Sequence, residues 1–154
     1  MNFACYNNAC NQYGIENSSY RRRVQFNSVL GYGFVLPICS VCKQGLYAVI
    51  REDEDFKKFV HLKLARLVIP PKQAIYSTAL RHINTENLTS VVIGADATVE
   101  FGTFVGCRAL TTVVIGPNAE LKGPTFSDCR ALTTVVIGPN AKLKGDNTFS
   151  GCTA

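Results

Sequence analysis

Residues 107–122 and 129–144 carry the same run, Cys-Arg-Ala-Leu-Thr-Thr-Val-Val-Ile-Gly-Pro-Asn-Ala-Glu-Leu-Lys, with 15 of 16 positions identical and only Glu120 replaced, by Lys142. Duplication this close restricts the chain to architectures in which like units stack, because a unit so short cannot bury its apolar face alone. Two weaker copies extend the series backwards, Leu88-Thr-Ser-Val-Val-Ile-Gly94 and Leu64-Ala-Arg-Leu-Val-Ile69. Their leading leucines, at 64, 88, 110 and 132, are separated by steps of 24, 22 and 22 residues.

The units share Leu-x-x-Val-x-Ile, with Leu67 at the Val position of the first, and the last three positions alternate like a short strand buried on one face. Val113 and Ile115 are expected to point inward with Leu110 behind them. Gly116-Pro117 and Gly138-Pro139 end the strands, and Phe-x2-Cys-x2-Leu runs (Phe104, Cys107, Leu110; Phe126, Cys129, Leu132) return the chain to the next one. Stacked copies give parallel strands about 4.8 Å apart. The outward positions then form a ladder of Val68, Val92, Val114 and Val136 beside Arg66, Ser90, Thr112 and Thr134. A continuous apolar strip flanked by hydroxyls suits a partner-binding face, while strand propensity alone also favours valine there.

Phe-x2-Cys-x2-Leu-x2-Val-x-Ile at this period resembles the treponemal-type (BspA-like) leucine-rich repeats over about residues 60–154. That resemblance implies a short, non-catalytic solenoid that binds other proteins or builds assemblies, with Cys107, Cys129 and Cys152 as a packing ladder. The earlier units depart from the pattern, with His82 and Thr85 where Phe and Cys would stand. Two helical stretches are expected ahead of the clear repeats. Ile75, Ala79, Leu80 and Ile83 fall at helical spacing, and Glu52-Asp-Glu-Asp55 before Phe56, Phe59, Val60 and Leu64 reads as a helix with an acidic start.

The first four of the seven cysteines are arranged differently, as Cys5-x4-Cys10 and Cys39-x2-Cys42. Two thiolate pairs on tight turns can converge on one tetrahedral ion, and zinc is the metal expected for four sulfurs. Between them Tyr20–Ile38 is rich in β-branched and aromatic residues around glycines, as in a β-hairpin. Residues 3–50 thus resemble a zinc ribbon, with Gly45 and Leu46–Ile50 as knuckle and outgoing strand. Two disulfides are the competing use of these cysteines and would require an oxidising setting. A domain of this size is marginal without a staple, so the zinc is expected to be structural.

The expected fold class is therefore α+β: a zinc-ribbon-like β module over 1–50, then a leucine-rich repeat solenoid over 51–154 with about four strands and an incomplete last coil. The ribbon caps one end of the solenoid, and the open coil at Cys152–Ala154 invites self-association or a partner. With 47% apolar and 18% charged residues the chain is globular rather than disordered, and no apolar run reaches the length of a membrane span. The formal charge of +5 is uneven: residues 1–50 hold four basic groups and one acidic, residues 91–154 five of each. No Walker loop, dinucleotide fingerprint or nucleophile elbow is present, so no enzyme is expected. The expected function is intracellular, in cytoplasm or nucleus or within a viral or cellular assembly: docking onto another protein through Val68, Val92, Thr112, Val114, Thr134 and Val136. The alternative is a nucleic-acid adaptor whose Tyr20, Arg21, Arg22 and Arg23, with Phe26 nearby, contact DNA or RNA.

Overall fold

The computed structural model describes residues 2–6, 9–10, 16–17, 21–27, 32–38, 40–42, 47–49, 65–77 and 85–154. The chain divides into two units, Met1–Val49 and Ile50–Ala154.

In the first unit β1 (Asn2–Ala4) lies between β2 (Glu16–Asn17) and β5 (Tyr47–Val49), antiparallel to both. The Val- and aromatic-rich stretch between the cysteine pairs forms an antiparallel hairpin of β3 (Arg21–Asn27) and β4 (Tyr32–Ile38), as its composition predicts. A turn at residues 40–42 follows β4.

The second unit is a β-solenoid whose coils contribute strands to two parallel sheets. The first sheet takes β6 (Arg66–Ile69), β8 (Ser90–Ile93), β10 (Thr112–Ile115) and β12 (Thr134–Ile137). These strands pair in register, so Leu67, Val91, Val113 and Val135 form one column and Ile69, Ile93, Ile115 and Ile137 another. The second sheet takes β7 (Ala74–Ile75), β9 (Thr98–Val99), β11 (Glu120–Lys122) and β13 (Lys142–Lys144).

Gly-Pro-Asn-Ala segments join the sheets because they encode a type II turn: Pro fixes φ at the first central position, and Asn tolerates the left-handed second one. Asn118 and Asn140 have φ of 55° and 58°, and Ala119 and Ala141 donate to the carbonyls of Gly116 and Gly138. Gly116 also answers a close approach, since a Cβ there would lie 2.7 Å from the backbone carbon of Gly94 in the coil before.

The described residues are almost entirely β, and the helical part of the expected α+β class is not seen among them. Among the described residues helical structure is confined to 3-10 geometry at Ser77 and over Thr85–Asn87. Ala74 and Ile75, which begin the helically spaced run, are extended: Thr98 donates to the Gln73 carbonyl and Glu100 to that of Ile75. Hydrogen bonding to the next coil satisfies that backbone and buries Ile75 without a helix. Residues 78–84 and the run expected to be helical over 52–64 lie outside the described residues.

The core fills the space between the two sheets. Val91, Val113, Ile93 and Ile115 enter from one side, Ile75, Val99 and Leu121 from the other, and Leu88, Leu110 and Leu132 behind them. Phe104, Phe126 and Phe149 stack with centroids 5.2 and 5.6 Å apart and ring planes within 4°. Phe126 is buried with a ring on each side, whereas Phe149 has one stacked partner and is half-buried. Phe126→Ala is expected to cost about 3–5 kcal/mol in chemical denaturation, and Phe149→Ala roughly half of that. Equal losses would show that the stack contributes no more than its terminal ring.

Candidate metal centre and interaction face

Cys5 follows β1 directly, Cys10 sits in a bend after Ala9, and Cys42 closes the turn after β4. Their sulfurs all lie within 4.8 Å of one another, with Cys5 and Cys10 buried and Cys42 partly open. The Cys5 and Cys42 sulfurs are 3.6 Å apart, well beyond the roughly 2.05 Å of a disulfide bond. A tetrahedral ion with metal–sulfur bonds of about 2.3 Å separates its ligands by about 3.8 Å, so three thiols spaced like these can hold one ion. The expected ligand Cys39 lies outside the described residues.

The three remaining cysteines do a different job. Cys107 and Cys129 are buried among the stacked phenylalanines and leucines. Cys129 donates its S–H to the Phe104 carbonyl at 3.2 Å, and Cys152 to that of Phe126 at 3.3 Å. A hydrogen bond with Cys107, reinforced by burial, pushes the Cys129 thiol above its ordinary pKa, and burial does the same for Cys152. These thiols pack in the solenoid, and Thr85, one coil earlier, bonds to Cys107.

Of the expected valine ladder, Val68 must be removed, since it is buried. Val92 and Val114 are half-buried, each standing between ladder neighbours, and Val136 is 52% exposed. Beside them Ser90 is buried, Thr112 half-buried and Thr134 exposed. Next to this face Thr89, Thr111 and Thr133 each send a hydroxyl hydrogen bond one coil back, to the carbonyls of Ala65, Thr89 and Thr111. The open strip therefore runs over Val92, Val114 and Val136, on a support cross-braced by threonine.

The opposite sheet carries a charged ladder that the sequence analysis did not single out. Lys122 bonds to Glu100 at 2.8 Å and Lys144 to Glu120 at 3.0 Å. The Lys144 ammonium holds the Glu120 carboxyl below its usual range, and the Glu100 carboxylate raises Lys122. The exchange of Glu120 for Lys142 between otherwise matching copies was the available signal.

The arginine run lies on β3, where Arg21, Arg22 and Arg23 pair with Ile38, Pro37 and Leu36 of β4. Tyr20 lies outside the described residues.

No family model matches the chain, and neither a curated protein nor a solved structure does. No helix among the described residues is long and apolar enough to cross a membrane.

Thiols pushed up by burial and hydrogen bonding stay protonated at neutral pH and react slowly. Alkylation of the native chain at pH 7.5, mapped by mass spectrometry, is expected to leave Cys129 and Cys152 at least tenfold less modified than in the unfolded chain. Native-state modification at the unfolded rate would mean that the ladder is not closed.

Proposed function

We propose that this chain is a non-enzymatic interaction or assembly protein of the cell interior, a leucine-rich-repeat-type solenoid that docks onto a protein partner, with a metal-stapled N-terminal module. The observation that carries the reading is the register-locked strip of Val92, Val114 and Val136 beside Thr112 and Thr134. Parallel in-register stacking sets these side chains at a fixed repeat on rigid strands, so the face is preorganised and loses little entropy when covered. Val114→Glu with Val92→Glu is expected to abolish recovery of proteins cross-linked to the wild-type chain in cells. Lys142→Glu, on the other sheet, is expected to preserve it. The paired variant sets two glutamates opposite each other at half-buried positions, so a lowered unfolding midpoint is expected and circular dichroism checks that it folds; unchanged cross-links from a folded variant would remove the strip as the interface.

For the module, we propose Zn2+ held by Cys5, Cys10 and Cys42 with Cys39 as fourth ligand, which leaves no coordination position for catalysis. Thiolate ligation releases protons, so affinity should fall as pH drops below neutral. Native mass spectrometry of the reduced chain is expected to give one zinc, lost in Cys5→Ser. Cobalt substitution should give the intense visible bands of a tetrahedral tetrathiolate, weakened in Cys39→Ser. Unchanged bands in that variant would assign the fourth position to another group.

A further inference from the structure

We propose that the partner segment covering the valine strip is acidic and that its carboxylates are held by Arg108 and Arg130, an inference that rests on the strip being the docking face. Leu88, Leu110 and Leu132 donate to the carbonyls of Thr85, Cys107 and Cys129, so Glu86, Arg108 and Arg130 occupy one position in three successive coils. Both arginines are exposed and stand in the turns that lead into β10 and β12, four residues before Thr112 and Thr134. The stacking sets them a single coil, about 4.8 Å, apart.

These arginines break the charge pattern of the other sheet. There Lys122 and Lys144 also stack, but each meets a carboxylate of the coil before it, Glu100 and Glu120. Among the described residues neither Arg108 nor Arg130 has an ion-pair partner. Glu86 stands one coil before Arg108 without pairing with it, and the Asp128 carboxylate leans on the following coil, where a Cβ on Gly151 would lie 2.5 Å from its Oδ1. Two guanidinium groups in register therefore repel each other with no counter-charge, and a carboxylate between them relieves the repulsion while accepting from both. Position favours a protein segment over a free anion. The pair borders the strip of Val92, Val114 and Val136 at the N-terminal ends of its strands, so a chain seated on the valines brings side chains to the arginines. An apolar centre with arginine beside it is the anatomy of a protein interface, and charge at the rim sets partner choice and association rate more than affinity. At the other ends of β10 and β12 stand the exposed, uncharged Pro117-Asn118 and Pro139-Asn140. Positive charge at one rim only also fixes the direction in which the acidic end of the segment lies.

Panning a phage-displayed library of short random peptides on the full chain tests the assignment, with the Val92→Glu/Val114→Glu and Arg108→Gln/Arg130→Gln variants as parallel baits. Wild type is expected to enrich peptides that combine apolar residues with two or more Asp or Glu, and the valine variant to enrich none of them. By fluorescence anisotropy, synthetic copies of those peptides should bind the arginine variant about tenfold more weakly than wild type at low salt. The difference should close at about 1 M salt, where screening acts within about 3 Å. Lys142→Gln, on the other sheet, should bind like wild type. Circular dichroism checks each fold, and if the valine pair does not fold, Val136→Glu, at a position 52% exposed, takes its place. Neutral or basic peptides enriched by wild type and lost on the valine variant would overturn the acidic assignment and leave the docking face standing. Equal enrichment on the valine variant, or none on any bait, would overturn both. Equal affinity of acidic peptides for wild type and the arginine variant would remove Arg108 and Arg130, and displacement by oligo(dT) where polyglutamate fails would overturn the assignment in favour of a polyphosphate.

Discussion

In-register stacking of the coils is the constraint from which the rest of the solenoid follows. Strand hydrogen bonds run from one coil to the next, as when Gly116 donates to Ile93 and Gly138 to Ile115, so a coil satisfies its backbone only on a neighbour of matching path. Coil length must then be conserved wherever the path is packed. The last coil tests this rule, because Phe149 stands 23 residues after Phe126 where Phe126 stands 22 after Phe104. The extra residue falls in the exposed Asp146–Asn147 turn beside Gly145, and Phe149 returns to stack within 4° of Phe126. The insertion is absorbed where solvent can take it, and the packed column keeps its register.

Stacking identical units also sets identical charges against each other, which separates the tolerable repeats from the costly ones. Apolar columns gain from identity, because equal shapes nest at a constant repeat. A charged column does not: an exact copy would place a second glutamate opposite Glu120. The one difference between the two matching runs is at this position, where Lys142 sets opposite charges in register. Lys122 and Lys144 do stand opposite each other, but each is paired with a carboxylate of the coil before it, Glu100 and Glu120 respectively. Exposed pairs of this kind are worth at most about 1 kcal/mol, so their larger effect is to disfavour slipped registers, in which the like charges would meet unpaired.

The repeat made much of the solenoid legible. The inward Val113 and Ile115, the buried Leu110 and the Gly-Pro breaks are where the alternation and turn chemistry put them. The second sheet escaped because its strands run only two or three residues, too short to show alternation, and because Ile75 begins a spacing that also fits a helix. Val68 illustrates a different limit. Alternation places it outward beside Val92, yet it is buried, and nothing within a strand's own pattern reports what covers its outer face. The cysteine pairs brought three sulfurs together from spacing alone, since thiol pairs on turns are conspicuous in sequence.

The solenoid adds coils, so that each interior Phe, Leu and Val is covered above and below and the core grows in one dimension. In the N-terminal unit β1, β2 and β5 run only two or three residues each, and the buried side chains described there are Cys5 and Cys10 themselves. With thiols in the interior, ligation can supply folding energy to a unit of this size, since metal affinity in such modules is expressed as fold stability. Cysteine thus enters this chain twice with contrary electrostatics. In the solenoid burial and hydrogen bonding keep Cys129 protonated and inert. In the N-terminal unit a cation shared among three converging sulfurs would strip their protons and make the same side chain a structural ligand.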